Sequence, residues 1–244
     1  EAILAQAQRM LADPKAHSMV SAFHTDYANM GPGTRWQGYS RDPALYPSFS
    51  DALVPVLSQE TERFFDYMVF ERNGTFQDLL TSPVAFVNAS IAPIYGLDAT
   101  KYGADLAAVD LDPGTRPGIF TRAGFLAANS LFNRSSAILR GAFIQKQVLC
   151  REIGAPPPGA ESTPQPTEGL TTNRARTDAQ TSAEACVGCH HTLINPTGFA
   201  LEAFDAIGGY QTAEKDTGAA IDTNASVAIG AASVNVKGPG ELMQ

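Results

Sequence analysis

Apolar positions recur at helical spacing through much of the 244-residue chain, interrupted by stretches dense in proline and glycine. The longest pattern sets Leu53, Leu57, Phe64, Phe65, Met68 and Val69 along one side of a helix that Ser50-Asp51 opens and the Asn73-Gly74-Thr75 turn closes. Upstream, residues 1–29 predict two helices broken at Asp13-Pro14, with proline at a first helical position. The second of these is expected to bury a face carrying Met19, Val20, Phe23, Tyr27 and Met30. Short helices are predicted over 76–80 and 83–95, and two more over 120–131 and 136–150, while 31–49 and 96–118 read as loops. GAPPPGAESTPQPTEG, residues 154–169, cannot be helical, because its prolines remove donors and fix φ. Beyond it, LEAFDAIGG (201–209) reads as a helical turn closed by glycine, and DTGAAIDTNASVAIG (216–230) as a small β-hairpin. The expected architecture is therefore mostly α: a helical domain over 1–153, a Pro-rich strap over 154–170, and a smaller domain over 171–244 that carries the hairpin.

Composition narrows the function more than the fold. Hydrophobic residues make up 44% and charged residues 17%, which is ordinary for a chain that buries a core. The net charge is -8 and no lysine- or arginine-rich run occurs, so nucleic acid is excluded as a partner: phosphate neutralisation needs clustered basic groups. No apolar run approaches the roughly 18 residues that a membrane span requires.

Chemistry concentrates at ACVGCHH, residues 185–191. With three cysteines and four histidines in the whole chain, C-x-x-C-H would arise at random only about 4 times in 10,000, so the cluster is read as a motif. On a helical turn, positions i, i+3 and i+4 share a face, and Cys186, Cys189 and His190 can address one flat object from one side. A haem satisfies all three: the two thiols become thioethers on its vinyl groups and the imidazole reaches the iron. One covalent haem c is the expected cofactor, held by Cys186 and Cys189 with His190 as axial ligand. The INPTG segment (194–198) is expected to turn sharply at Pro196 and Gly198, and a carbonyl near Asn195 or Pro196 to accept a hydrogen bond from His190.

Several other residues are weighed against that centre. His24, in SAFHTDY (21–27), is the first candidate for a second iron ligand, with Met30, Met19, His17 and Met68 as alternatives. Arg140, and beside it Arg122, could pair with haem propionates through bidentate guanidinium contacts. His191 is expected to face solvent, make a hydrogen bond or reach a neighbouring haem. Cys150 is read as a buried free thiol at a helix end. Asp216, Asp222 and Asn224 could suggest calcium but lack EF-hand spacing.

RAGFL (122–126), SAILRGAFIQKQVLC (136–150), the APPP strap, TTNR (171–174) and CVGCH with INPTGFALEAFDAIG together resemble the planctomycete-type cytochrome c proteins, large exported bacterial chains built from adjoining modules. SAFHTDY and the stretch 78–96 resemble the module that precedes these segments in that family, including an aromatic-His pair at His24. The resemblance implies a mostly helical protein with c-type haem in the periplasm or outside the cell. It also implies a piece of a longer chain, since relatives continue past residue 242 and often carry another haem motif. The chain starts without a signal-peptide pattern, so processing or an internal position is expected.

Two functions compete on this reading. One is an electron-transfer module that works with a redox partner protein or a neighbouring haem domain. The other is a haem enzyme, a peroxidase or oxygenase with an open distal site, acting on an extracellular substrate. A structural zinc held by Cys186, Cys189 and His190 is a weaker third, because no second ligand pair is present.

Overall fold

The computed structural model describes residues 2–30, 40–160 and 163–244, so the first half of the loop expected at 31–49 and two positions of the strap lie outside the described residues. About 46% of the chain is helical and 11% is strand, the latter in two small antiparallel hairpins. The helices are α1 (Ala2–Leu11), α2 (Pro14–Tyr27), α3 (Leu53–Asp66), α4 (Phe76–Thr81), α5 (Ala123–Ala128), α6 (Ala137–Phe143), α7 (Asn173–Gln180), α8 (Glu184–Cys189), α9 (Asn195–Phe199) and α10 (Pro239–Leu242). Helices α3, α6 and α8 each run on into a π turn, at Tyr67–Glu71, Ile144–Val148 and His190–Ile194 respectively. One hydrophobic core joins residues from Ala28 to Met243, with Leu57 and Phe64 of α3, Phe125 and Leu126 of α5, and Leu201 and Phe204 fully buried in it.

Side-chain caps start four of the helices, whereas α3, expected to open on Ser50-Asp51, begins at Leu53 after Ala52 with no side-chain cap. Asp13 accepts from the Lys15 N–H and Pro14 follows it at the first turn of α2. Thr75 and Asp78 form a reciprocal capping box on α4, and Ser136 and Thr172 cap α6 and α7. The α3 pattern is buried as predicted at Leu53, Leu57, Phe64, Phe65 and Met68.

Several expectations are corrected. Of the face expected on the second helix, Met30 is buried and Tyr27 packs on the core, but Met19 and Phe23 are 73% and 66% exposed. The helix lays His17 on Phe70 of the π turn, with centroids 3.5 Å apart, and His24 on Phe65 of α3, at 4.6 Å, so two imidazoles share the contact side. Residues 83–95 are not a helix: β1 (Val84–Val87) pairs antiparallel with β2 (Ala107–Asp110), Val84 opposite Asp110. The run of two β-branched valines and a phenylalanine favours a strand, and the Asn88 side chain ends it by accepting from the Ser90 and Ile91 N–H groups. The second hairpin lies further along than 216–230, with β3 (Asn224–Ile229) against β4 (Ala232–Lys237) around Gly230 at φ +59°. Finally, Cys150 is exposed and in the left-handed region at φ +53°, not buried at a helix end.

The stretch 201–209 is a series of turns and contains no helix. Its carbonyls find donors in three buried arginines from distant parts of the chain. Arg41 donates to Ala206 O, Arg116 to Gly208 O at 2.7 Å, and Arg140 to Leu201, Phe204 and Asp205 carbonyls at 2.8–2.9 Å. Guanidinium donors thus replace the i→i−4 bonds that a helix would supply.

Among the described residues, no helix is long and apolar enough to cross a membrane.

Candidate functional site

The C-x-x-C-H turn is helical at the backbone: the His190 N–H donates to Cys186 O, the bond that aligns positions i and i+4. Cys189 is exposed and Cys186 and His190 are partly buried, so the three side chains of the motif lie at the surface with free thiols. Immediately after it the chain widens into the π turn, where the Asn195 N–H reaches back to His190 O. That wider turn carries the helix into Pro196, so INPTG does not turn sharply but continues helically as α9. Gly198 serves a different purpose from the expected one. A Cβ there would stand 2.0 Å from Ala137 O, and one at Gly141 would stand 1.9 Å from Ile194 O. The two glycines let α6 and the motif helix touch backbone to backbone, which fixes the far end of the segment that presents the thiols.

The His190 ring has the expected partner, supplied by a side chain: Nδ1 lies 3.1 Å from Asn195 Oδ1. Asn195 is fully buried, and its amide nitrogen is 3.0 Å from Asp178 Oδ1 and 2.9 Å from Thr181 Oγ1. His191 turns to the same place, with Nε2 3.1 Å from Asp178 O and 3.2 Å from Thr181 Oγ1. Burial lowers the His190 pKa from the ordinary histidine value, the Asn195 hydrogen bond opposes this, and His191 beside it adds to the lowering. A neutral imidazole with Nδ1 engaged keeps Nε2 for a metal. Asp178 and Thr181 were not singled out from sequence; they stand in RTDAQTSAEA (176–185), which has no motif spacing of its own and reaches His190 only through the fold.

The remaining candidates lie elsewhere. His24 packs through α2 on α3, its Nδ1 2.8 Å from Val20 O and its ring on Phe65. No hydrogen bond or ring contact joins it to the C-x-x-C-H turn among the described residues. Arg140 is 1% exposed, and its two terminal nitrogens meet the carbonyls of Leu126, Leu201, Phe204 and Asp205 and the Ser130 hydroxyl. Arg122 is likewise buried and donates to Ser82 O and Arg116 O. Asp222 pairs with Arg174 and Asp216 with Arg176. Among the described residues, no group of three or more His, Cys, Asp or Glu comes together to hold a bare metal ion. A haem does not need one, because its iron arrives already held by the porphyrin.

Residues 116–214, which include the motif, α6 and α7, match the family model PSCyt3, described as a protein of unknown function (DUF1588). Residues 1–97, which include His24, match PSD4, described as a protein of unknown function (DUF1592). Both are planctomycete cytochrome-type domains. The two cytochrome-type matches are separated by 98–115, whereas the Pro-rich strap falls inside the second. No curated protein and no solved structure matches the chain.

The donor set fits a c-type haem. Two free thiols and an imidazole occupy one helical turn at the surface, and the ring nitrogen needed for iron is the one its hydrogen bond leaves over.

Proposed function

We propose that this chain is a c-type cytochrome module that carries one haem on Cys186, Cys189 and His190 and passes electrons to a redox partner or a neighbouring haem domain of an exported bacterial protein. The observation that carries the reading is the helical C-x-x-C-H turn whose histidine is held through Nδ1 by Asn195. When bound, the haem iron supplies one-electron chemistry at a potential tuned by its axial imidazole. The polypeptide's part is to anchor the porphyrin edge through two thiols, to hold the imidazole in one orientation, and to keep Nε2 unprotonated toward the iron.

The test is expression with export and haem-maturation machinery, followed by a pyridine haemochrome spectrum and a reductive titration. A spectrum of the bis-thioether type and a reversible one-electron wave are expected. A colourless product from a host that matures a control cytochrome would contradict the proposal. A high-spin resting spectrum with peroxide turnover would move the reading to the haem enzyme.

A further inference from the structure

The end of α7 and the turn after it hold two adjacent histidines by different nitrogens, and the acceptor chemistry there leaves no freedom in the protons. A carboxylate such as Asp178 only accepts hydrogen bonds. Thr181 gives its own proton to Thr177 O at 2.8 Å, so it too presents a lone pair to Asn195. With acceptors at 3.0 and 2.9 Å, the Asn195 NH2 group must face α7, and its amide oxygen must face His190 Nδ1 at 3.1 Å. An amide oxygen also only accepts, so His190 carries its proton on Nδ1 and its lone pair on Nε2. For His191 the same logic runs the other way: Nε2 faces the Asp178 carbonyl at 3.1 Å and a Thr181 hydroxyl whose proton is already spent, so Nε2 carries the proton.

We infer that Asp178 and Thr181 are positioning residues that choose which of the two neighbouring histidines is offered to iron, by locking His190 and His191 in opposite tautomers. The inference rests on the haem reading for its consequence, but the tautomers are properties of the polypeptide. An unconstrained imidazole favours the Nε2–H form, so the Nδ1–H form at His190 is imposed by the fold. The relay also aims a carboxylate through a buried amide at the axial ring, which strengthens the Nδ1 hydrogen bond and raises ligand basicity.

The experiment is long-range proton–nitrogen correlation on the full chain labelled with 15N-histidine and made without haem maturation, at pH 8, with His190→Gln and His191→Gln used for assignment. The hydrophobic core contains none of the motif side chains, so the haem-free chain is expected to fold, and circular dichroism checks this. The expected result is Nδ1–H at His190 and Nε2–H at His191. In Asp178→Leu, which removes the acceptor, the Nδ1–H share at His190 should fall at least twofold, with His17 and His24 unmoved. If that variant does not fold, Thr181→Val is read the same way. An Nε2–H tautomer at wild-type His190, or tautomers untouched by both variants, overturns the inference. In the haem-bearing chain, Asp178→Asn should raise the midpoint potential while the covalent link stays intact, and an unchanged potential would overturn the relay to iron. Failure of haem attachment would end the cytochrome reading and leave the tautomer result standing, so the two fail separately.

Discussion

The two halves of the helix from Glu184 to Phe199 are built for opposite ends. The first half, α8, buries no residue, leaving Val187 and Cys189 exposed and Cys186 half-buried. The second half, α9, buries Asn195, Thr197, Gly198 and Phe199, and its backbone lies directly on α6. Between them the π turn holds His190 with its ring tied to Asn195. Reactive groups are thus carried on a loosely packed end, while precision comes from the end that is locked. On the proposed haem reading, a thioether-forming segment has to be reachable and an axial ligand has to be held, and a helix whose packing changes along its length suits both demands.

Perturbations should separate the halves by size. Arg140→Ala should cost the most, about 4 kcal/mol in denaturant unfolding, because carbonyls at Leu126, Leu201, Phe204 and Asp205 lose their buried donor. Gly198→Ala follows at about 3 kcal/mol, since its new methyl group would meet Ala137 O and push α9 off α6. A shift of the apparent unfolding midpoint of that order, with a weakened Asn195–His190 contact, would show that the locked half positions the ligand.

The next effect is set by pH. Burial raises the Glu60 pKa to about 7 and the Glu202 pKa to about 8. Both values lie above the ordinary carboxyl value, so the folded state holds protons that the unfolded state releases. The stability from these groups is present below about pH 4.5 and is lost as pH rises toward 7 for Glu60 and 8 for Glu202. The melting temperature is expected to fall across that window, and Glu60→Gln together with Glu202→Gln should flatten the slope. The smallest stability change belongs to the exposed half: Cys186→Ala with Cys189→Ala should alter the unfolding of the haem-free chain by no more than about 0.5 kcal/mol.

Sequence periodicity located α3 by its apolar spacing, and α4 and α6 by spacing together with caps, because these are local properties. It misjudged α2, since two imidazoles stacking on phenylalanines form a contact side that hydropathy does not register. It also took 201–209 for a helical turn, where arginines from positions 41, 116 and 140 satisfy the carbonyls and no spacing rule shows them. At the candidate site, Cys186, Cys189 and His190 were legible from spacing alone. Asn195 was legible as a neighbour in INPTG, though not as a side-chain acceptor. Asp178 and Thr181 were not legible, because their role depends on α7 lying against the motif helix.

The most direct test is the mass of the intact chain under denaturing conditions after export from a host that matures c-type haem. The wild-type chain should weigh its amino acids plus one haem, and the Cys186→Ala, Cys189→Ala variant its amino acids alone. A wild-type mass equal to the polypeptide alone, from a host that attaches haem to a control, would contradict the account.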